Sequence, residues 1–319
     1  MSPDGRNQKP IAAGSMKLSL LKRIEFSPFL AQLVITRRCN LRCGYCNEFD
    51  RISPPVDEGI LMERMDKLKA LGTFSLELTG GEPLLHPGIF RLLAHAKGLG
   101  FVTRWMITNG YLLTREKIEA LNSVFLTDMQ ISVDGVEPNR TTVKVLKPLR
   151  KKLEMLSRHA RFRVSMSAVI GAAPPEEVRE VIEFAVDHGF RPRVLLLHDG
   201  SGVLKLSEEE KQLYRDLQTY LGRQAKEAGN YRNKLLDGGS APFKCRAGSR
   251  YLYVDEFGYV HWCSQTMKKF QKALDSYSLE DLKEQFYTNK PCNPYCTLGC
   301  ARTNSRLDWW RKQNHTETD

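Results

Sequence analysis

The 319-residue sequence has no run of about 18 consecutive apolar residues, so it offers no candidate for a membrane-spanning helix. The first residues, from Met1 to Lys17, are polar and lack the apolar segment of a signal peptide. These two absences argue against membrane and secreted proteins, and we expect a cytoplasmic chain with no membrane partner. We also expect residues 1–25 to form a disordered tail, because they show neither periodicity nor a motif.

Acidic residues are in the minority. The sequence has 37 Asp and Glu but 48 Lys and Arg, which gives a formal net charge of +11. Such a charge raises the hypothesis of nucleic-acid binding. Apolar residues recur at helical spacing within the most basic stretch, however, so we interpret its charges as the solvated outer face of a helix. We expect no nucleic-acid partner, and RNA modification stays a minor alternative. The basic residues of this stretch are Lys144, Lys147, Arg150, Lys151, Lys152, Arg158, Arg161 and Arg163.

Cysteine is the informative residue type that is present. Eight cysteines in a cytosolic chain indicate metal binding rather than disulfides, because the cytosol keeps thiols reduced. Three of them form the segment Cys39-Asn-Leu-Arg-Cys43-Gly-Tyr-Cys46. Three thiolates on one loop can bind one face of a [4Fe-4S] cluster and leave the fourth iron without a protein ligand. In an electron carrier, a distant cysteine is the ligand of the fourth iron. In an enzyme, the fourth iron can instead bind a substrate or cofactor. The triplet alone is compatible with both.

Short β-rich segments alternate with amphipathic segments from about residue 30 to residue 235, a pattern typical of parallel strands covered by helices. Six such units predict an α/β fold, a partial (β/α)6 TIM-like barrel. Helices are expected at Asp57 to Leu71, Pro174 to His188 and Ser207 to Ala228, the last with a Ser207/Glu210 capping box. The predicted strands are Leu30 to Thr36, Phe74 to Thr79, Val102 to Thr108, Asp128 to Val133, Arg163 to Ile170 and Arg193 to His198. Residues at or just past their carboxyl ends, where such barrels place their chemistry, are Cys39, Gly80, Asn109, Asp134 and His198.

The cysteine triplet, with Tyr45 directly before its third cysteine, resembles the signature of the radical S-adenosylmethionine (SAM) superfamily. The resemblance covers about residues 30 to 200 and includes Gly80-Gly81-Glu82-Pro83, Thr108-Asn109-Gly110 and Ser132-Val-Asp134-Gly135. It implies that SAM binds the open iron and that backbone groups of the Gly80 to Pro83 segment hold its amino group. It also implies an adenosyl contact for Asn109 and a ribose or carboxylate contact for Ser132 and Asp134.

Each of these residues also has a simpler interpretation. Gly80 and Gly81 fit an ordinary turn at the end of a strand, and Asn109 begins an Asn-Gly turn pair. Ser132 and Asp134 fit capping of the turn at Gly135. We interpret Glu82 as positional. His198 is either a substrate ligand or proton donor, or an ordinary histidine at the end of a strand.

Five further cysteines follow residue 235, and we expect residues 26–235 to form the barrel and residues 236–319 a small cysteine-rich domain. The spacing from Cys245 through Gly258 to Cys263, with a predicted hairpin of Tyr251 to Val254 and Tyr259 to Trp262, resembles the SPASM and twitch auxiliary-cluster domains. The resemblance implies one twitch-like second [4Fe-4S] cluster rather than two, because the cysteines are too few for two. Its ligands would be Cys245 and Cys263 with two of three others, and a structural zinc site is the alternative. The other three cysteines are Cys292, Cys296 and Cys300.

The resemblance implies an oxidoreductase or transferase that cleaves SAM reductively and removes a hydrogen atom from a substrate. Only a polar tail precedes Cys39, which favours a small-molecule substrate over the peptide of a SPASM-type maturase with its own leader-binding domain. A peptide maturase is the alternative, and a non-catalytic iron-sulfur or zinc protein is a further one. The family expectation for the electron donor is a flavodoxin or a ferredoxin.

Overall fold

The computed structural model describes residues 25–46, 49–199, 203–222, 231–267 and 269–306. The expected N-terminal tail therefore lies outside the described residues, apart from Glu25. In the described part of the chain, no helix combines the length and the apolar character that crossing a membrane requires.

Six parallel strands follow one another across the sheet in chain order, which confirms the predicted α/β architecture of a partial barrel. They are β1 (Leu30–Thr36), β2 (Ser75–Gly80), β3 (Thr103–Thr108), β4 (Asp128–Ser132), β5 (Arg163–Ile170) and β6 (Arg191–Leu196). The helices of this part are α1 (Glu58–Ala70), α2 (Ile89–Gly98), α3 (Arg115–Ser123), α4 (Leu146–His159), α5 (Pro175–Asp187) and α6 (Glu208–Leu221).

Local side-chain caps fix where several helices begin. The Asp57 carboxylate accepts a hydrogen bond from the Ile60 amide at the start of α1, and Ser207 and Glu210 form the predicted capping box of α6. Helix α6 ends at Leu221 rather than near Ala228, because Gly222 adopts a positive φ of 49° that stops the helix. Residues 223–230 lie outside the described part of the chain.

Helix α4 contains most of the basic stretch. Its leucines Leu146, Leu149, Leu153 and Leu156 are fully buried against the barrel, so the helical interpretation is confirmed. The outward charges are compensated in part. Ion pairs join Lys147 to Glu137, Arg150 to Glu180 and Arg158 to Glu154.

The cysteine-rich part continues the barrel sheet instead of standing apart from it. Strand β7 (Tyr251–Val254) pairs in parallel with β1, and the predicted hairpin then joins β7 to β8 (Tyr259–His261) around the turn at Asp255 to Gly258. A short strand, β9 (Lys272–Ala273), completes a nine-stranded sheet in the described residues. This continuity places the C-terminal cysteines beside the cavity of the barrel. The remaining helices are α7 (Tyr231–Leu236), α8 (Leu279–Tyr287) and α9 (Gly299–Ser305).

The two faces of the strands have opposite character. Ala31, Leu33 and Ile35 of β1 are fully buried in the main apolar core with leucines and methionines of the helices. The alternate residue Gln32 lines the interior cavity of the barrel instead. Other strands contribute polar side chains to the same cavity, whose wall also includes apolar residues such as Ile107 and Val169, so the interior of the barrel is an open site rather than a packed core. The polar residues are Glu77, Thr79, Gln130, Ser132 and Arg193.

Candidate active site

The loop after β1 directs its three cysteines, Cys39, Cys43 and Cys46, into one cavity of about 480 Å³. Backbone hydrogen bonds fix the loop, from the Cys39 amide to the Asp50 carbonyl at 2.9 Å and from the Cys46 amide to the Cys43 carbonyl at 3.3 Å. A Cβ at Gly44 would lie 2.7 Å from the Arg140 carbonyl oxygen, so the chain there accommodates only glycine. The loop geometry thus supplies three thiols to a single space, as the motif predicts.

Gly80 and Gly81 hold the base of this loop. A Cβ on Gly80 would lie 2.0 Å from the Thr36 carbonyl oxygen, and the φ of Gly80 is +133°. A Cβ on Gly81 would lie 2.4 Å from the carbonyl oxygens of both Arg37 and Arg38. The missing side chains thus allow the end of β2 to pack against the backbone that leads into the cysteine loop. Both glycines also line the cavity, so close approach of a ligand remains compatible with this packing role.

Glu82 is fully buried and joins the ends of β2 and β3. Its carboxylate accepts hydrogen bonds from the Leu84 amide at 3.0 Å, the Thr108 hydroxyl at 2.7 Å and the Asn109 amide at 2.8 Å. Burial raises the pKa of Glu82, and these hydrogen bonds oppose that rise. Pro83, which is also buried, begins a short 3-10 turn after it. The contacts agree with a positional role for Glu82.

Asn109 connects β3 to the cysteine loop. Its side-chain amide donates to the Asn40 side-chain oxygen at 2.8 Å and lies 3.7 Å from the Cys39 sulfur. Its side-chain oxygen accepts from the Tyr111 amide at 3.0 Å, which is the Asn-turn geometry of the simpler interpretation. The residue therefore forms the turn and also lines the cavity.

Tyr45 takes part in a buried polar network with Asp134, Thr142 and Lys144. The Asp134 carboxylate accepts hydrogen bonds from the Tyr45 and Thr142 hydroxyls, each at 2.8 Å, and lies 3.4 Å from the Lys144 ammonium. The Lys144 ammonium also contacts the Tyr45 hydroxyl. Tyr45, Ser132 and Lys144 line the cavity, whereas Asp134 is fully buried behind them. Asp134 thus contacts the cysteine loop through Tyr45, and its side chain is not among those lining the cavity.

The placement of Lys144 corrects the interpretation of the basic stretch as one solvated helix face. Lys144 precedes α4, and its side chain is only 16% exposed. Burial favours the neutral amine, but the nearby Asp134 carboxylate and Tyr45 raise the pKa of Lys144 above its usual value. The Lys144 ammonium therefore lies at the cavity wall beside the cysteine loop, where it pairs with the Asp134 carboxylate. The sequence predicted Lys144 on the helix surface because the helical spacing was extended to two residues before the start of α4 at Leu146.

The deeper wall of the cavity has charged residues that no sequence motif marks. Arg193 donates from Nη1 to the Gln130 side-chain oxygen at 2.6 Å, and Gln32 contacts the Glu77 carboxylate. Burial lowers the pKa of Arg193, and Glu77 opposes that effect. The signal in the sequence was the alternation of polar residues along strands β2, β4 and β6, which indicates that these strands direct polar side chains into the barrel interior.

The five C-terminal cysteines gather beside this cavity. Cys300 lines the main cavity itself, and a smaller adjoining recess is lined by Cys263, Cys292 and Cys296. Cys245 reaches the same region because its amide donates to the Asn293 side chain at 2.6 Å. His198 lines both spaces, and its Nδ1 lies 2.9 Å from the Asp199 carbonyl oxygen. The structure thus brings all five cysteines together, together with His198.

The C-terminal part of the described chain buries more cationic than acidic side chains. Asp255, which pairs with His261, is the only buried acidic side chain among the described residues from 231 to 306. Buried cations are more numerous there, and burial raises the pKa of the Cys245 and Cys263 thiols to about 11. Buried thiols become thiolates when a metal binds them, and the charges of Lys290 and Arg193 favour the thiolates of Cys245 and Cys300 respectively. The buried cations are Arg232, Arg246, Arg250, Lys290 and Arg302.

In the described ranges, no group of three or more His, Cys, Asp or Glu side chains is arranged to hold a metal ion. The assignment of the two cysteine groups to metal clusters therefore rests on their shared cavities, their ligand chemistry and the comparisons with known proteins.

The family model described as "Radical SAM superfamily" matches residues 33–217, which is more than half of the chain. The chain belongs to the radical SAM superfamily. As a member of that superfamily, the protein is an enzyme that uses SAM and a [4Fe-4S] cluster.

Individual relatives agree with this assignment. The PqqA peptide cyclase of Bradyrhizobium diazoefficiens is 29% identical over 167 residues, which is 50% of this chain and 44% of the relative. The GTP 3',8-cyclase of Marinobacter nauticus is 31% identical over 201 residues, 58% of this chain and 61% of that enzyme. The chain thus spans less than half the length of the peptide cyclase and less than two thirds of the GTP cyclase.

Among solved structures, Streptococcus suis SuiB bound to the precursor peptide SuiA superposes with a TM-score of 0.64 at 16% identity. The match covers 92% of this chain and 74% of the SuiB chain. At 16% sequence identity, this structural similarity shows that the two proteins share a fold. Because the match covers 92% of this chain, the similarity to the fold of SuiB extends over the C-terminal cysteine-rich part as well.

Proposed function

We propose that this radical SAM enzyme modifies a peptide by hydrogen-atom abstraction. The observation that carries the proposal is a single cavity whose walls include Cys39, Cys43 and Cys46 at one side and Cys300 of the C-terminal part at another. The relatives support the peptide over the small molecule expected from the sequence, since PqqA peptide cyclase and SuiB bound to its precursor peptide are both similar to this chain. The expectation of a small molecule rested on the short segment before Cys39.

The residues present fit the cofactors of the family. Cys39, Cys43 and Cys46 would hold the first cluster, with Tyr45 beside it. When bound, the cluster and SAM supply one-electron cleavage chemistry that produces a hydrogen-abstracting radical. The protein positions SAM and substrate together in a space shielded from water. The residues assigned to SAM are Gly80, Gly81, Asn109, Ser132 and Lys144, with Glu82, Pro83 and Asp134 as positioning residues.

For the second centre we propose an auxiliary [4Fe-4S] cluster held by Cys245 and Cys263 with two of Cys292, Cys296 and Cys300. Because these cysteines lie beside the main cavity, the cluster would be close enough to accept an electron from the substrate or to contribute to substrate binding. Deep in that cavity, Glu77 and Arg193 are the charged groups placed to bind polar groups of the peptide.

Lys144→Gln is expected to raise the KM for SAM about tenfold while the iron content stays at the wild-type value. SAM carries a carboxylate, and Lys144 is a largely buried cation beside the cysteine loop whose charge glutamine cannot replace. SAM cleavage in the presence of dithionite measures the effect, and Lys147→Gln on the exposed surface is the matched control. An unchanged KM for SAM would remove Lys144 from the binding site.

The proposed substrate class is tested by deuterium transfer. The anaerobically reconstituted enzyme is incubated with SAM, dithionite and one of three additions: short peptides encoded beside its gene, GTP, or buffer alone. For the proposal to stand, a peptide must stimulate release of 5'-deoxyadenosine, and a deuterated form of that peptide must transfer deuterium into it. Stimulation by GTP without any response to peptides would overturn the peptide assignment and leave the radical SAM assignment intact.

A further inference from the structure

Strand β6 forms one edge of the sheet, and among the described residues it pairs with β5 alone. The Leu197 amide donates to the Ile170 carbonyl of β5 at 2.9 Å. Because the register of the two strands is continuous, the backbone groups of every second residue before Leu197 also face β5. The residues between them, Val194 and Leu196, therefore direct their N–H and C=O groups away from β5, to the open side of the sheet.

Two neighbouring residues follow the same alternation. Pro192 stands at a position whose N–H would face the open side, which is where an edge strand tolerates proline. Beyond the strand, the Asp199 amide donates to the Val203 carbonyl at 3.0 Å, so the backbone of His198 faces the side opposite to that of Leu197 and Asp199. Within the described chain, the backbone groups of Leu196 and His198 have no hydrogen-bond partner on the open side. We name these two residues the open edge.

Arg232 of α7 closes the strand edge just before the open edge. Its side chain is buried, and Nη1 donates to the Val194 carbonyl at 3.0 Å. Nε and Nη2 of the same guanidinium donate to the Thr297 carbonyl at 3.1 and 3.0 Å. One side chain thus joins β6 to the segment that leads to Cys300. The carbonyl of Val194 is satisfied by this contact, whereas the open edge begins at the next residue of the same phase.

The open edge faces the cavity of the active site. Leu196 lines the main cavity although its side chain lies in the main apolar core, so the backbone of Leu196 is the part that faces the cavity. His198 lines both the main cavity and the recess beside it, as do Thr297 and Leu298. The unbonded backbone groups therefore lie between the space of the first cysteine group and that of the second. Groups of this kind need a hydrogen-bond partner, which a ligand can supply.

We propose that the open edge binds an extended segment of the substrate peptide as an added strand. The inference rests on the proposed function, because it assigns the way in which the peptide of that reaction is held. An extended peptide carries N–H and C=O groups at the spacing that a strand edge offers, so its main chain supplies the missing partners. Since the bridge made by Arg232 ends the edge at Val194, the added strand pairs over about three residues, or ~10 Å.

Pairing at this edge also orients the side chains of the peptide. Arg193 and Leu195 line the cavity, whereas the side chains of Val194 and Leu196 lie in the apolar core. The side chains of an added strand alternate in the same way, so every second peptide residue points into the cavity that the cysteine triplet lines. The hydrogen atom that the enzyme removes then comes from one of these residues.

The opposite edge of the sheet is a weaker candidate. Strand β9 there contains two residues, Lys272 and Ala273, and neither lines the main cavity or the recess. A strand added to β9 would therefore lie away from the space that both cysteine groups share. Unbonded strand backbone and contact with the cavity coincide at the open edge.

The first test methylates the peptide backbone one amide at a time. The probe is the short peptide encoded beside the gene that binds the anaerobic holoenzyme most tightly, titrated with SAM present and no reductant, so that no chemistry occurs. N-methylation removes one donor and keeps the side chain. Over the bound segment, the Kd should rise about tenfold at every second amide and little at the amides between them. Equal effects at consecutive amides would contradict an added strand.

The second test observes the open edge itself. In hydrogen exchange of the full chain, the amides of Leu196 and His198 should exchange at least tenfold more slowly when the peptide is bound. His198→Pro removes one of these N–H groups, and His198→Ala is the matched control because it keeps the N–H while also lacking the imidazole. The Kd of the peptide should be about tenfold higher for His198→Pro, with equal iron content in the two variants. An equal Kd at equal iron content would rule out pairing at His198.

The outcomes separate this inference from the proposed function. A peptide that transfers deuterium to 5'-deoxyadenosine but shows neither the alternation nor the protection would overturn the added strand and leave the proposed function intact. A peptide that binds with both signatures and transfers no deuterium would do the reverse. If no peptide binds, the added strand is refuted. A dimer that forms without peptide and dissociates in His198→Pro would also refute it, because the open edge would then pair with a second copy of this chain.

Discussion

Replacing Cys39, Cys43 and Cys46 together with alanine is expected to abolish SAM cleavage and to remove about four iron atoms per chain. The three thiols line one cavity. Cys300 of the C-terminal part also lines it, and Cys263, Cys292 and Cys296 line the adjoining recess, so no other cysteine of the loop can replace the three. Loss of all three removes the ligands of the cluster, so no electron reaches SAM. Iron and sulfide analysis with an anaerobic 5'-deoxyadenosine assay measures both effects.

The matched control removes the other cysteine group. Cys245→Ala/Cys263→Ala should lower the iron content by a similar amount, whereas SAM cleavage in dithionite persists because the first cluster keeps its ligands. Electron paramagnetic resonance of the two reduced variants should then show one cluster signal each, and only the signal of Cys245→Ala/Cys263→Ala should change when SAM is added. A triple variant that retains the wild-type iron content would contradict the assignment of these cysteines.

Short-range features of this chain were predictable because their causes are local. The bounds of β1 and β5 follow from their apolar segments, and the capping box at Ser207 follows from two side chains three residues apart. The cysteine spacing predicted one metal-binding loop for the same reason. In each case the residues that determine the structure lie within a few positions of one another.

Long-range features were not predictable by this reasoning. The parallel pairing of β7 with β1 joins segments more than 200 residues apart in the chain, and nothing in either segment specifies the other. The ammonium of Lys144 reaches Tyr45 across 99 residues, although the sequence around Lys144 has the character of a surface helix. The contact of Asp134 with Tyr45 likewise depends on where β4 ends relative to the cysteine loop. Such contacts are set by tertiary packing, which a pattern within one segment does not contain.

Gly80→Ala is expected to destabilise the fold by on the order of 3 to 5 kcal/mol and to prevent cluster assembly. The new methyl group would lie 2.0 Å from the Thr36 carbonyl oxygen, which is backbone and has little freedom to move. The φ of +133° at position 80 adds backbone strain for any residue with a side chain. Since the Thr36 carbonyl also accepts the hydrogen bond of the Gly81 amide, relief of the clash separates β2 from the segment that leads to Cys39.

Gly98→Ala provides the control, because a Cβ at that helical position meets nothing within 4 Å. It should stabilise the protein by about 0.5 to 1 kcal/mol through higher helix propensity. Urea unfolding followed by circular dichroism compares the two variants with the wild type, and iron analysis after reconstitution reports the state of the cysteine loop. Wild-type stability together with a full iron content in Gly80→Ala would show that the end of β2 does not support the loop. A stable variant that binds its iron but not SAM would instead assign Gly80 to the SAM site alone. The absence of a side chain at Gly80 would then serve only to let the ligand approach the backbone.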